Sequence, residues 1–196
     1  AGGLSLFYIG QQFFSTINQI LYKAVASPLT PGLALDAKEG DWEKYRRAYY
    51  QRLLMILALT VSGSLLLLLI GLPLLHLAIG HGGVTSENVR TLWLIMLSLG
   101  GVLVGGAALQ VTSVGFYALG DTRTPTLLSV AIFTLCIPFK VLVFRRYGLT
   151  GLGVTMSIYF VTCFLIQFIV LEKAFRRRLG QVPQALAEEQ VPASGF

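Results

Sequence analysis

The sequence has little charge. Asp, Glu, Lys and Arg make up 12% of its 196 residues, against about 25% in an ordinary water-soluble domain. Hydrophobic residues make up 55%, and the mean hydropathy is +0.72. That balance excludes a soluble globular domain and points to a bilayer environment. Carboxylates are scarcest, with nine Asp and Glu in all, and none lies in the middle of a long apolar run. This argues against drug or cation antiport, which needs buried carboxylates. Cysteine is sparser still, with two residues. Cys136 and Cys163 both sit inside apolar runs, without the spacing of a disulfide framework or a metal site. His76 and His81 are isolated, so no metal is assigned. There is no phosphate-binding glycine loop followed by Lys-Ser/Thr, no nucleophile elbow, and no polar block large enough for a catalytic domain. We therefore expect neither an enzyme nor a cofactor. The chain opens Ala1-Gly2-Gly3, with no initiating Met and no basic leader. It reads as part of a longer membrane protein.

What is abundant is apolar sequence at membrane-spanning length. About twenty such residues cross a bilayer, and the chain reads as an all-α, polytopic helix bundle of about five spans. These fall at 4–34, 52–79, 87–119, 124–144 and 149–175. Together they form a transmembrane domain over 1–175, followed by a flexible polar tail over 176–196. The net charge of +6 sits beside the spans, so it reads as topology and not as a nucleic-acid surface. Lys38, Lys44, Arg46, Arg47, Arg52, Arg123, Lys173, Arg176, Arg177 and Arg178 fall on one side, and Arg90, Arg145 and Arg146 on the other. The positive-inside rule places the richer side, with the tail, in the cytoplasm. Between the first two spans, Trp42, Tyr45, Tyr49 and Tyr50 stand among basic residues, a composition suited to the headgroup region.

The first span carries the most informative polar pattern. Gln12, Thr16, Gln19 and Lys23 are spaced four, three and four apart, which sets them on one helical face. Polar groups facing lipid are costly, so this face is expected to line a water-filled cavity or a neighbouring helix. Lys23 has two readings: a cavity cation that attracts an anionic substrate, or a long side chain snorkelling to the headgroups. Pro28 and Pro31 are expected to kink or end the helix. In the third span, Gly101 and Gly105 form a small-xxx-small pair for close helix packing. Gln110, Thr112 and Ser113 follow as interhelical hydrogen-bonders or cavity lining. Lys140 lies after Pro138 near a span end, where an interface anchor is the simpler reading. Gln167 reads as an interhelical hydrogen-bonder.

The third connection is the most specific stretch. Gly115-Phe116-Tyr117-Ala118-Leu119-Gly120-Asp121-Thr122-Arg123-Thr124-Pro125 resembles a hallmark of the MurJ/MviN-type lipid II flippases of the MOP exporter superfamily. Its recognisable positions are Phe116, Tyr117, Asp121, Arg123 and Pro125. Three other pieces agree in order. Pro28-Leu29-Thr30 through Gly40-Asp41 resembles the family's inner loop. Gly82-Gly83-Val84-Thr85 resembles its outer turn, with Val84 where an aromatic is usual. Tyr147-Gly148-Leu149-Thr150-Gly151-Leu152-Gly153 resembles the glycine-rich lead-in to a following span. The resemblance reaches to about Leu171 and implies most of one lobe of a two-lobed transporter. It also implies a plasma (inner) membrane location and a partner in the remaining lobe. The implied function is translocation of a polyprenyl-diphosphate-linked envelope glycolipid, lipid II or a related peptidoglycan precursor, by alternating access. A non-transporting membrane scaffold that binds partners through 36–51 and Arg176 to Arg178 is the alternative.

Overall fold

The computed structural model describes residues 3–79 and 86–189. The chain is all-α: α1 (Gly3–Leu21), a π-helical turn (Tyr22–Ala26), α2 (Ser27–Glu39), α3 (Trp42–Ile79), α4 (Ser86–Ser98), α5 (Gly100–Ala118) and α6 (Arg123–Glu189). Pro28 explains the π turn. Its ring would crowd the carbonyl four residues back, and the backbone answers with a wider turn in which the Ser27 N–H donates to the Tyr22 carbonyl. The helix then continues past Pro31 to Glu39, beyond the end expected near residue 34.

α6 is a hairpin. Gly148 adopts φ 63°, ψ −144°, which breaks the helix. Phe133 of the first arm packs edge-on against Tyr159 of the second, and the Pro125 carbonyl accepts from Gln167. These pairings are centred near Gly148, so the arms run antiparallel. α4 and α5 are nearly continuous, joined at Leu99. The bundle therefore has two ends. The turns at Gly40 and Gly120 and residues 172–177 share one, called here the basic end. Gly148 and the start of α1 share the other, where Gly3 abuts Leu149.

Among the described residues three helices are long and apolar enough to cross a membrane: Trp42–Leu77, Val89–Ala118 and Arg123–Arg177. The sequence reading counts about five, and two physical features account for the difference. The third helix contains both arms of the hairpin, and the amides and hydroxyls of α1 lower its hydropathy. α4 and α5 form the centre, with over half of their apolar window buried. The outer face of α3 (Leu65, Leu66, Leu69) and that of the first α6 arm (Leu127, Leu135, Leu142) are exposed. Exposed leucine in such numbers is stable only against hydrocarbon, so this is a membrane bundle.

Small residues let α5 reach its neighbours. A Cβ on Gly105 would lie 2.8 Å from the Val161 backbone nitrogen, and one on Gly101 would lie 2.6 Å from the Ser157 Cβ. The basic end is tied by polar side chains. The Tyr45 hydroxyl donates to the Gly115 carbonyl (2.6 Å), and Tyr49 pairs with Thr112 (3.1 Å). Tyr50 donates to Glu172 (2.8 Å), which also meets Arg46 and Arg176. Tyr45 and Tyr49 are fully buried within the bundle. Their hydroxyls find partners on α5, and their rings pack edge-on against Phe175.

The second α6 arm stays helical to Glu189, through residues that composition assigns to a flexible tail. Good helix formers in 185–189, Ala, Leu and Glu, support that. Residues 190–196 and the Gly82-Gly83-Val84-Thr85 turn lie outside the described residues.

Candidate functional site: a polar groove beside the first helix

On α1, Gln11, Ser15 and Asn18 recur at four and three residues and so share a face. Opposite them on α5 stand Val102, Gly106 and Gln110, spaced by four. With Gln19, Leu109, Met156 and Phe160 they line a cavity of about 580 Å³, closed on the far side by Phe133, Lys140 and Tyr159 of α6. The Asn18 amide donates to the Val102 carbonyl at 3.3 Å. Gly106 admits that amide, since a Cβ there would stand 3.0 Å from it. The Asn18 Oδ1 and Gln110 Oε1 atoms are buried and have no hydrogen-bond partner among the described residues.

Lys140 is the cation of this groove. Its Nζ lies 4.5 Å from the centre of the Phe133 ring and 4.9 Å from that of Tyr159. Ring faces are electronegative, and such contacts stabilise an ammonium by about 0.5–2 kcal/mol. No carboxylate pairs with Lys140 among the described residues. It stands eight residues before Gly148, about 12 Å along a helix.

The sequence-derived candidates divide. Gln19 reaches the groove. Gln12 and Thr16 lie one residue out of phase, on a shallower face with Tyr8, Ile9, Phe13, Ile17 and Ile20. The Thr16 hydroxyl there donates to the Gln12 carbonyl. Lys23 is exposed on the π turn and is not among the groove residues. Sequence reasoning places Ser15 and Asn18 only near the polar stripe, and it passed over Gln11 and Lys140 as groove lining. The available signal was the shared face of Phe133 and Lys140, two turns apart, opposite the amides of α1.

The motif run builds a turn. Phe116 is buried and Tyr117 exposed. The Gly120 N–H donates to Tyr117 and the Asp121 N–H to Phe116. Gly120 takes φ 78°, a left-handed conformation that ends α5. Asp121 Oδ1 accepts from the backbone N–H groups of Arg123 and Thr124 (3.1 and 3.0 Å) and caps α6. Hydrogen bonds from the Thr124 side chain, then from the backbone, hold the Asp121 carboxyl below its usual range. Arg123 is exposed, while Pro125 is buried and gives its carbonyl to Gln167. Gln167 also meets Ser129 and Ser113, so one amide ties both α6 arms to α5. Gly40 and Asp41 repeat the device between α2 and α3: Gly40 is left-handed, and Asp41 accepts from the Lys44 N–H.

The family model for the lipid II flippase MurJ matches residues 1–191. The chain belongs to that family. A search of curated proteins found no match.

Proposed function

We propose that this MurJ-family chain forms one wall of a pathway for a polyprenyl-diphosphate-linked envelope glycolipid. The polar groove receives the head of the lipid, and alternating access passes it across the membrane. The supporting observation is Lys140, an ammonium that lines one cavity with the amides and lies over two rings, with no carboxylate partner among the described residues. A charge in that setting is expensive unless water or an anion meets it. A diphosphate supplies the anion and can leave again, as a permanent carboxylate partner cannot. Membership of the family supports a lipid II flippase role in general.

The remaining lobe of the transporter would close the groove from the opposite side, and rocking between lobes would expose it to each face in turn. The basic end, with Arg46, Arg123, Lys173 and Arg176, faces the cytoplasm of a plasma (inner) membrane under the positive-inside rule. The substrate then enters there and leaves near Gly148. Gln12, Thr16 and Lys23, on the faces adjoining the groove, are assigned a lesser part in its approach.

Complementation tests this reading. The full reading frame carrying Lys140→Met is expressed in cells depleted of their lipid II flippase. We expect normal abundance in the membrane and failure to sustain growth. Full complementation by Lys140→Met would overturn the assignment.

A further inference from the structure

The groove holds two kinds of recognition element, and a diphosphate uses only one of them. Phosphate oxygens at neutral pH accept hydrogen bonds. They suit Lys140 but can satisfy neither Asn18 Oδ1 nor Gln110 Oε1, which are acceptors themselves. Buried acceptors without partners are costly and call for an explanation. Asn18 is nine-tenths buried, and its nitrogen is committed to Val102, so its oxygen is the free side of the amide. A metal cation would suit two amide oxygens, but the Lys140 ammonium lines the same cavity and repels it. What remains is water, or a neutral group rich in O–H or N–H donors that displaces it. The cavity wall beside them is aromatic, with Tyr159 packed edge-on against Phe133 at 5.7 Å and Phe160 at 5.1 Å. Flat apolar rings beside amide acceptors match a ligand with a C–H face and a hydroxyl- or amide-bearing edge.

We infer that Asn18 and Gln110 read the sugar of the glycolipid head, taking its hydroxyl or amide N–H donors, while Lys140 holds the diphosphate. The two residues thus discriminate a sugar-bearing polyprenyl diphosphate from the bare one. The inference rests on the groove being the path of the glycolipid.

The test measures binding of two lipids to the full-length protein in nanodiscs. One is undecaprenyl diphosphate, and the other is the same lipid carrying an N-acetylhexosamine. Wild type is expected to prefer the sugar-bearing lipid. Gln110→Met, similar in size but unable to accept strongly, should weaken the sugar-bearing lipid about tenfold, the scale of one buried hydrogen bond. It should leave the bare lipid within about twofold. Asn18→Leu should act in the same direction, and Gln110→Met stands alone if Asn18→Leu fails to fold. Lys140→Met should weaken both lipids. If Lys140→Met changes neither, the diphosphate reading fails. If Lys140→Met weakens both but Gln110→Met weakens neither, or both equally, the sugar assignment alone is overturned. Equal binding of the two lipids by wild type overturns it as well.

Discussion

On one side of α1, Phe13, Phe14, Ile17 and Leu21 face α3 across a cavity of about 560 Å³. On the other, Gln11, Ser15, Asn18 and Gln19 face α5 and α6 across one of about 580 Å³. The volumes are close and the chemistry opposite. The apolar cavity is lined by Leu, Ile, Phe and Gly apart from Thr60, whose hydroxyl is already bonded to the Ile56 carbonyl of its own helix (2.8 Å). Lipid hydrocarbon satisfies such a surface without any specific ligand. The polar cavity holds a lysine and two amide oxygens without a carboxylate or hydrogen-bond partner among the described residues, which hydrocarbon cannot satisfy. Volume alone therefore says little about where a membrane bundle works. Unmet polar demand says more, because at bilayer depth only water or a substrate can meet it.

The contrast can be broken most completely through the helix contact that shapes the polar side. Gly105 brings α5 against the backbone of α6 at Val161. Gly105→Val must push these helices apart, with an expected loss of about 3 kcal/mol or more. Thermal unfolding and monodispersity in detergent would show it; a variant as stable as wild type would contradict the backbone contact.

Next in size is a functional effect without a structural one. Lys140→Met should lower glycolipid flipping in proteoliposomes at least about tenfold, the equivalent of roughly 1.4 kcal/mol, with thermal stability nearly unchanged. Lys23→Met, on the exposed π turn, should have a much smaller effect. A larger loss with Lys23→Met would move the working cation to that turn.

A third test lies away from both cavities. Asp121→Ala removes the cap of α6 and should cost about 1 kcal/mol. The native carboxyl titrates below its usual range, so its contribution is complete above the ordinary aspartate pKa. It fades as pH falls through the lowered native value. The stability difference between wild type and Asp121→Ala should therefore shrink in strong acid, and a difference independent of pH would contradict the capping role. The smallest effect is expected on the apolar side. Thr60→Val should shift stability by no more than about 0.5 kcal/mol, because its hydroxyl serves only its own helix, and flipping should be unaffected.

The two sides of α1 also show what a linear reading can reach. The helical class, the close-packing role of Gly101 and Gly105, and the family were legible, because each rests on composition, spacing or an unbroken run of residues. So was the bridging role of Gln167. The groove was only half legible. Gln12-Thr16-Gln19 and Gln11-Ser15-Asn18 are both polar faces of one helix, about 100° apart. Spacing cannot choose between them; contact with α5 does, through the room left by Gly106. Lys140 was harder still. Near a span end it resembles an anchor, and only the reversal at Gly148 sets Tyr159 beside Phe133 to receive it. Composition suggested headgroup aromatics for the tyrosines of α3 but could not show that Tyr45 and Tyr49 turn inward to hydroxyl partners on α5.

The most direct measurement compares the accessibility of the two sides. In a background with Cys136 and Cys163 replaced by alanine, Ser15→Cys and Ile17→Cys are each treated with a charged, membrane-impermeant thiol reagent. The account predicts rapid labelling at residue 15, slowed by added lipid II, and little labelling at residue 17. Equal labelling at the two positions, or labelling at residue 15 that lipid II leaves unchanged, would contradict it.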